Sequence, residues 1–445
     1  MKMSRRKFLA GAAAVGAVGP VASAPGILGS GPSDPGARRV AGPATASGAE
    51  ESAVTGNGGA LTTDATRRFD PWVEVAPEAL VFNVEVVSRL VGGRPILAVV
   101  KNNAYGLDLV TAGRILEGLP QVWGLAVVKT EAALALKAAG VKKPVVLMAL
   151  FADEDGPDLV ARGVDLCLTT DDAGERVERA AQAVGVWPRV HAYLDTGMSR
   201  MGVPYHRAAS WLTELAEGGL QPRSTFMGFT EDPEYDREQL RRFLEVARRL
   251  RTRGVDPGVL HAASSAAVFN FPESHLDMVR PGIALFGAYP SNEGHEREIA
   301  ELRPAFRLRA RVVRVERLRP GDSVSYGREY VADRAIWVAT LPVGHSDGYP
   351  RGAVEGARIL VNGRLHPAIG AVSASHTVIE LGSVEERGED PGVRIGDVAT
   401  FLGPDDPEVH PNTVATRTGR SVYDVLMHLN AGLPKVIEGE PRRGG

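Results

Sequence analysis

Short apolar runs alternate with amphipathic segments from residue 94 to about residue 290. Apolar residues at helical spacing are clearest in KTEAALALKAAG and DREQLRRFLEVARRLRTRG, which predict two surface helices. Eight apolar runs of strand length are spread through the same region, at residues 95–101, 122–128, 144–150, 165–170, 189–195, 224–230, 258–264 and 277–287. Eight strands that alternate with helices favour an α/β fold of the (β/α)8 TIM-barrel type over a doubly wound sheet.

The pattern changes after residue 300. Runs such as FRLRARVVRVERL, AIWVATLPVG and VATFLG are rich in β-formers, and Gly, Pro and Asn-Gly turns separate them. This pattern predicts a second, all-β domain. The predicted organisation is therefore a barrel over residues 67–300 and a β-rich C-terminal domain over residues 301–445.

The first 24 residues have the features of a targeting segment. A basic start precedes a stretch of small apolar residues, and the segment ends in Ala22-Ser23-Ala24. Arg5-Arg6 before Phe8-Leu9 resembles a twin-arginine export signal. We therefore expect residues 1–24 to direct export to the periplasm or the medium. A general secretory signal or an uncleaved anchor is the alternative. Residues 25–66 are rich in Gly, Ala, Ser, Pro and Thr, and predict a disordered linker.

Composition excludes several classes of protein. The net charge of −3 over 445 residues predicts no general attraction to nucleic acid or to a membrane surface. Cys167 is the only cysteine, so neither an intramolecular disulfide nor a cysteine-built metal centre is possible. The ten histidines have no H-x-x-x-H or H-E-x-x-H spacing, and we predict no metal site. No apolar run of the mature chain is long enough to span a membrane.

Candidate chemistry lies where the predicted strands end, because barrel active sites form at the C-terminal ends of the strands. Lys101 is predicted as the last residue of the first strand. A partly desolvated lysine there would have a lowered pKa and a free amine for attack on a carbonyl. A solvated lysine at a strand end is the plain alternative.

The later strand ends supply groups that bind phosphate. HAASSAA (261–267) places serines beside a helix start, and VRPGIALFG (279–287) places Arg280 close to Gly282. Small hydroxyls and glycine amides at such positions bind phosphate. A Schiff-base lysine with a phosphate site is what pyridoxal 5'-phosphate requires. A nucleotide would compete for such a site, but the chain has no G-x-G-x-x-G and no P-loop pattern.

These motifs together resemble the alanine racemase family over residues 69–437. WVEVAPEAL, AVVKNNAYG, DTGMSRMGV, VRPGIALFG, VSYGREY and VGHSDGYPR follow one another in the family's order and spacing. The resemblance implies a barrel with a C-terminal β domain and a small amino-acid substrate. It also implies a homodimer in which each β domain closes the barrel of the partner.

The resemblance also implies a role for each matching residue. Lys101 would hold the cofactor and act as one catalytic base, and Tyr326 would be the second base, from the other subunit. Two bases are needed because racemisation moves a proton on each face of a planar carbon. The phosphate would be bound by Tyr105, Ser265, Gly282 and Ile283. Arg280 would donate to the pyridine nitrogen. Arg200, Ala374 and His345 would contact the substrate, Ala374 through its backbone amide.

Six positions around the site depart from the family pattern. Gly228 replaces a histidine, His345 a tyrosine, Ser375 an aspartate, Tyr193 a lysine, Leu107 a histidine, and Asn430-Ala431 a region that contains a phosphate-binding tyrosine. Smaller residues at the entrance would admit a longer side chain than that of alanine. We therefore predict a racemase of alanine or other amino acids that supplies D-amino acids for the cell wall. A non-catalytic pyridoxal- or amino-acid-binding homologue, and an aldolase or eliminase on the same fold, remain as alternatives.

Overall fold

The structure of the protein, a computed structural model, describes residues 65–438. The predicted signal peptide (1–24) lies outside these residues, and so does nearly all of the predicted linker (25–66). Within the described part of the chain, no helix is both long enough and apolar enough to cross a membrane.

The barrel is built from a curled sheet of parallel strands, as the alternating pattern predicts. Strand β1 (Trp72–Val75) precedes it and belongs to the C-terminal sheet. The barrel strands, in their order around the sheet, are β2 (Ile96–Val99), β3 (Val122–Val127), β4 (Val145–Leu147), β5 (Asp165–Leu168), β6 (Val190–Asp195), β8 (Ser224–Phe226) and β9 (Val259–His261). A short strand, β7 (Val203–Pro204), pairs only with β6.

Helices lie between most of these strands. They are α1 (Pro77–Leu90), α2 (Leu109–Glu117), α3 (Thr130–Ala138), α4 (Gly156–Ala161), α5 (Ala173–Val184), α6 (Tyr205–Glu217), α7 (Pro233–Thr252) and α8 (Ser265–Asn270). The two helices predicted most clearly are α3 and α7. At the start of α7 the Asp232 carboxylate accepts hydrogen bonds from the amides of Glu234 and Tyr235, which satisfies donors that have no partner within the helix.

The eighth predicted strand, residues 277–287, is a single bridge and not a full strand. Val279 bridges Ile96 in parallel, the Leu97 amide donates to the Val279 carbonyl at 2.9 Å, and the Val99 amide donates to the Pro281 carbonyl at 2.9 Å. Pro281 has no N–H to continue the pairing, and Ile283–Phe286 turns into a 3-10 helix. The segment still lies between β9 and β2, because the Arg280 amide donates to Ala263 at 2.8 Å. The fold class is therefore the predicted barrel, closed by a few hydrogen bonds.

The second domain is a nine-stranded sheet with the order β11-β14-β17-β16-β15-β18-β10-β1-β19. Its strands are β10 (Phe306–Arg311), β11 (Arg314–Leu318), β14 (Ile336–Leu341), β15 (Arg358–Val361), β16 (Arg364–Ile369), β17 (Thr377–Ser383), β18 (Val398–Leu402) and β19 (Lys435–Ile437), and a separate pair is formed by β12 (Ser323–Val324) and β13 (Tyr330–Val331). In β10, FRLRAR, buried apolar residues alternate with half-buried arginines, as one-sided burial requires. Three short helices accompany the sheet: α9 (Val384–Arg387), α10 (Pro411–Arg417) and α11 (Val422–Met427).

The first described strand belongs to the second domain. β1 lies inside the range predicted for the barrel, 67–300, yet it pairs with β10 in antiparallel fashion and with β19 in parallel fashion. The sheet of the second domain therefore includes a strand that precedes the barrel in the chain. The apolar run WVEV fits this position because Trp72, Val73 and Val75 are buried.

Gly106 fixes the close approach of the loop after β2 to helix α11. Its φ is +86°, and a Cβ added there would lie 2.6 Å from the Leu426 carbonyl oxygen and 3.0 Å from Leu429 Cβ. Gly140 has the same φ of +86°, but an added Cβ would meet nothing within 4 Å. The two glycines therefore share one backbone requirement and differ only in the space around them.

We expect Gly106→Ala to destabilise the protein more than Gly140→Ala. Both alanines would bear the left-handed backbone cost of about 1–2 kcal/mol. Gly106→Ala would add an overpacking cost of about 1–3 kcal/mol, because a backbone carbonyl cannot move away as a flexible side chain can. Denaturant unfolding of the two variants measures the difference, and equal losses of unfolding free energy would contradict it.

Candidate active site

A cavity of about 570 Å³ opens at the C-terminal ends of the barrel strands. Its lining includes six of the residues predicted for the site: Lys101, Tyr105, Arg200, Ser265, Arg280 and Gly282. These residues come from four separate segments at the C-terminal side of the barrel. The barrel topology therefore brings together what is dispersed over 180 positions of the chain.

Lys101 stands on a left-handed turn. Strand β2 ends at Val99, so Lys101 is not the last strand residue as predicted, but lies two residues beyond it. The next four residues all have positive φ: 51° at Asn102, 54° at Asn103, 54° at Ala104 and 55° at Tyr105. Each non-glycine residue in this region costs about 1–2 kcal/mol, and such strain persists only where the surroundings enforce it. The turn has the hand opposite to an α-helix, and it directs both Lys101 and Tyr105 into the cavity.

The environment of Lys101 favours its neutral amine. Burial lowers the pKa of Lys101 below its ordinary value, and the Arg200 cation lowers it further. The Glu231 carboxylate acts in the opposite direction. The neutral form is the nucleophile that attacks an aldehyde, so this environment suits the predicted role of Lys101.

Four of the predicted phosphate-binding residues converge on one side of the cavity. The Tyr105 hydroxyl lies directly against Gly282, where an added Cβ would be 2.1 Å from that oxygen. The Ile283 amide hydrogen-bonds Tyr105. The Ser265 hydroxyl accepts from the Gly282 amide at 2.9 Å and keeps its own proton for another acceptor. Burial raises the pKa of Tyr105, so its phenol is a donor at neutral pH. Hydroxyl and amide groups are thus concentrated around Gly282, a position where the Tyr105 hydroxyl leaves no space for a side chain.

Arg280 is held by four acceptors and has one donor left. Its Nη1 donates to His261 Nδ1 at 3.0 Å and to the His261 carbonyl at 2.8 Å, and its Nη2 donates to the carbonyls of Met227 and Ala262. A guanidinium has five N–H groups, so the Nε–H is the donor that remains for the cavity. Burial lowers the pKa of Arg280 to about 10, which still leaves it cationic at neutral pH. The guanidinium carbon lies 5.0 Å from the centre of the Phe226 ring.

Two departures from the family pattern meet at one place. A Cβ at Gly228 would lie 3.4 Å from the Tyr193 hydroxyl and 3.7 Å from Met198 Sδ. Tyr193 in turn stacks on Phe226 with ring centres 4.5 Å apart. The glycine therefore leaves room beside a tyrosine. The histidine that hydrogen-bonds Arg280 directly is His261.

Among the cavity residues that sequence reasoning missed, two are titratable, Tyr423 and Glu231. Tyr423 lies on α11, and burial raises its pKa, as does the nearby Glu231 carboxylate. Asn430, in the region where a tyrosine was expected, instead donates from its side chain to the Ser346 carbonyl at 3.1 Å. The phenol on this side of the cavity is therefore supplied by Tyr423. Nothing in SVYDVLM alone marks this residue, because its role depends on α11 packing against the Lys101 turn.

The remaining predicted residues, Tyr326, His345 and Ala374, are gathered on the β domain. The Ser346 amide donates to the Ala374 carbonyl at 2.9 Å, and the Ser325 hydroxyl donates to the Ala371 carbonyl at 2.6 Å. Their three loops are therefore neighbours. None of the three predicted residues lines the cavity around Lys101, and Tyr326 is 75% exposed. Within one chain the predicted site is thus divided into two groups.

Both domains match known families over nearly their whole length. The family model "Alanine racemase, N-terminal domain" matches residues 75–290, and "Alanine racemase, C-terminal domain" matches residues 305–437. The chain belongs to the alanine racemase family. This confirms the resemblance read from the motifs, and it places the protein among the amino-acid racemases, which are isomerases.

Individual racemases are similar along almost their full length. The alanine racemase of Desulforamulus reducens is 33% identical over 376 residues, which are 83% of this chain and 99% of that protein. Among solved structures, the alanine racemase of Streptomyces coelicolor is 28% identical with a TM-score of 0.77, covering 85% of this chain and 100% of that one. The alanine racemase of a D-cycloserine-producing Streptomyces lavendulae is also 28% identical, with a TM-score of 0.75 over 84% of this chain and 98% of that one.

The opposed effects of Arg200 and Glu231 predict opposite shifts of the Lys101 pKa. Removal of the cation in Arg200→Gln should raise this pKa, and removal of the carboxylate in Glu231→Gln should lower it. The midpoint of the pH dependence of Lys101 alkylation by propanal and cyanoborohydride, read by peptide mass spectrometry, measures both shifts.

Arg207→Gln serves as the control for this experiment, since Arg207 pairs with Asp171 on the surface and does not line the cavity. Its midpoint should equal that of the unchanged protein. Shifts in the same direction for the two cavity variants would be inconsistent with the arrangement described.

Proposed function

We propose that this racemase uses pyridoxal 5'-phosphate to interconvert L- and D-alanine or other amino acids, with Lys101 and Tyr326 as its two bases. The observation that carries the proposal is the composition of one cavity. It combines a half-buried lysine with a lowered pKa, a set of donors around Gly282, and an arginine with one free N–H.

The residues present fit this cofactor. The hydroxyls of Tyr105 and Ser265 lie beside Gly282, whose amide holds the Ser265 oxygen and leaves the Ser265 proton for a phosphate, and the close contact of Tyr105 with Gly282 leaves no room for a side chain. Lys101 would hold the aldehyde carbon, and the Nε–H of Arg280 would donate to the ring nitrogen. When bound, pyridoxal phosphate draws electrons away from the substrate's α-carbon and makes its hydrogen acidic.

The residues of the chain would then position the substrate and move its proton. Lys101 would take or return the α-hydrogen on one face, and Arg200 would hold the substrate beside it. Because the pKa of Arg280 is about 10, it would not pass its proton to the ring nitrogen at neutral pH, which limits side reactions such as transamination.

Tyr326 supports a homodimer. A second base is needed on the opposite face of the α-carbon, yet Tyr326 is exposed and does not line the cavity of its own protomer. Its position is explained if the β domain of each protomer closes the barrel of the other. His345 and Ala374, on neighbouring loops, would then reach the substrate together with Tyr326.

The substrate range is proposed to extend beyond alanine. The names of the relatives specify alanine, and alanine is therefore the first substrate to test. The residues that differ around the site, Gly228 and Ser375, are small, and they would leave space for longer side chains. D-Amino acids made in this way would serve cell-wall synthesis.

We expect the purified protein with pyridoxal phosphate to form the D-enantiomer of at least one of L-Ala, L-Ser, L-Lys, L-Arg and L-Met. Lys101→Ala should lose both turnover and the absorbance band that borohydride removes. Tyr326→Phe should keep the band and slow turnover by about 10²-fold or more, since it lacks only a general base. Chiral chromatography measures the products. A protein that forms the band but no D-enantiomer would be a binding homologue and not a racemase.

Hybrid dimers provide the control for the shared site. When Lys101→Ala and Tyr326→Phe protomers are mixed, one of the two sites in each hybrid has a normal Lys101 and a normal Tyr326. Activity should therefore return on mixing two nearly inactive proteins. If both bases came from one chain, every site would lack a base and mixing would restore nothing.

We also propose that the protein is exported in folded form. The support is the segment MKMSRRKFLAGAAAVGAVGPVASA, with paired arginines before an apolar stretch. Replacing Arg5 and Arg6 with lysines should retain the protein in the cytoplasm, as judged by fractionation of cells that express the tagged chain. Export that is unaffected by this change would point to the general secretory route.

A further inference from the structure

A row of buried polar side chains crosses the inside of the barrel below the cavity. It runs from Arg280 to His261 (Nη1 to Nδ1, 3.0 Å), from His261 to Ser224 (Nε2 to Oγ, 2.8 Å), from Ser224 to His191 (Oγ to Nδ1, 2.6 Å), and from His191 to Asp165 (Nε2 to Oδ2, 3.2 Å). Asp165, His191, Ser224 and His261 are each at most 2% exposed. Barrel interiors are normally filled by branched apolar residues, so such a row of polar groups requires an explanation.

We call this row of five side chains, from Arg280 to Asp165, the relay. The charges at its two ends set the direction of every hydrogen bond within it. Hydrogen bonds from His191 and Arg189 outweigh the effect of burial and keep the pKa of Asp165 low, so this carboxylate is an acceptor only. His191 must then donate from Nε2 and accept at Nδ1. Ser224 therefore donates its proton to His191.

The second half of the relay follows in the same way. Because the Ser224 proton is engaged with His191, its oxygen accepts from His261 Nε2, and His261 Nδ1 is left as an acceptor. Arg280, a permanent donor at the other end, requires that acceptor. Burial and the Arg280 cation lower the pKa of His261, which agrees with a neutral ring. With both imidazole rings neutral, all four bonds therefore point from Arg280 toward Asp165.

This relay has a direct effect on Arg280. The bond to His261 Nδ1 completes the set of four acceptors around the two Nη atoms. If His261 adopted the other tautomer, its Nδ1–H would face an Nη1–H, and the guanidinium would be forced to move. The position of the free Nε–H thus depends on a carboxylate four hydrogen bonds away.

We propose that Asp165, His191, Ser224 and His261 are positioning residues that fix the His261 tautomer and so hold the Arg280 Nε–H toward the ring nitrogen of the cofactor. This inference rests on the proposed use of pyridoxal phosphate. It assigns a role to four residues, none of which lines the cavity.

The test compares binding of pyridoxal 5'-phosphate with binding of its 1-deaza analogue, in which a C–H replaces the ring nitrogen. The unchanged protein should bind pyridoxal phosphate at least about tenfold more tightly than the deaza analogue, because only pyridoxal phosphate can accept a hydrogen bond from the charged Arg280. Ser224→Ala breaks the relay at its centre, and it should reduce this preference to about twofold or less. A general destabilisation of the fold would weaken the binding of both ligands alike and leave the ratio of the two affinities unchanged.

Two further variants make the test decisive. Thr225→Val removes a buried hydroxyl from the next residue of the same strand. This hydroxyl donates to the Pro257 carbonyl and has no part in the relay. The preference for pyridoxal phosphate over the deaza analogue should therefore be retained. Asp165→Asn keeps the shape of the side chain but allows a donor to face His191, so the preference should fall even if Ser224→Ala does not fold.

The ligand-free protein offers an independent readout. Nitrogen-15 NMR of labelled histidines should show His191 and His261 as Nε2–H tautomers, and Asp165→Asn should mix the two forms. A protein that does not bind pyridoxal phosphate at all would overturn the proposed function. A protein that binds it, but whose preference over the deaza analogue survives both Ser224→Ala and Asp165→Asn, would overturn the relay alone.

Discussion

The left-handed turn from Asn102 to Tyr105 is the constraint on which the site depends. It reverses the course of the chain within four residues, and it places an amine and a phenol in one cavity. A right-handed turn of the same length would direct these side chains elsewhere. The turn is held by Gly106 against α11, by the Ala104 amide on Val100, and by the Asn103 side chain on the Leu109 amide. The helix that confines the turn also carries Tyr423 into the cavity, so one packing contact serves both groups.

The cavity separates its charges by depth. Near the opening, Arg200 lowers the pKa of Lys101 and Glu231 raises it, so the two charges together set the protonation of the amine. Below them, Arg280 is surrounded by carbonyls and by a neutral histidine, and a chain of hydrogen bonds connects it to the Asp165 carboxylate. An arginine buried in this way stays charged because each of its Nη hydrogens has an acceptor. The upper pair is exposed to solvent, whereas the lower group is buried.

How far the sequence predicts this arrangement depends on the range of each interaction. The barrel strands and the clearest helices follow from local patterns, and the motifs around Lys101, Ser265 and Arg280 are contiguous, so they were found. The sequence did not reveal the hand of the turn at Lys101. Four consecutive positive φ angles in NNAY are imposed by tertiary packing and run against the usual preference of non-glycine residues. Tyr423 and Glu231 join the cavity through contacts between distant segments. The relay is spread over four strands, and only their registers bring His191 opposite Ser224 and Phe226 opposite His261.

The pairing of β1 with β19 links the order of synthesis to the completion of the fold. Val73–Val75 leave the ribosome early, and their parallel partners, Lys435–Ile437, leave it among the last described residues. The barrel can form its sheet while synthesis continues, since its strands pair mainly with sequence neighbours. The β domain cannot complete its sheet during synthesis, because the edge formed by β1 and β19 needs residues from both ends of the described chain. A chain truncated before β19 would therefore leave the β1 edge of this sheet unpaired, and the pairing of that edge reports whether the described polypeptide has been made to its end.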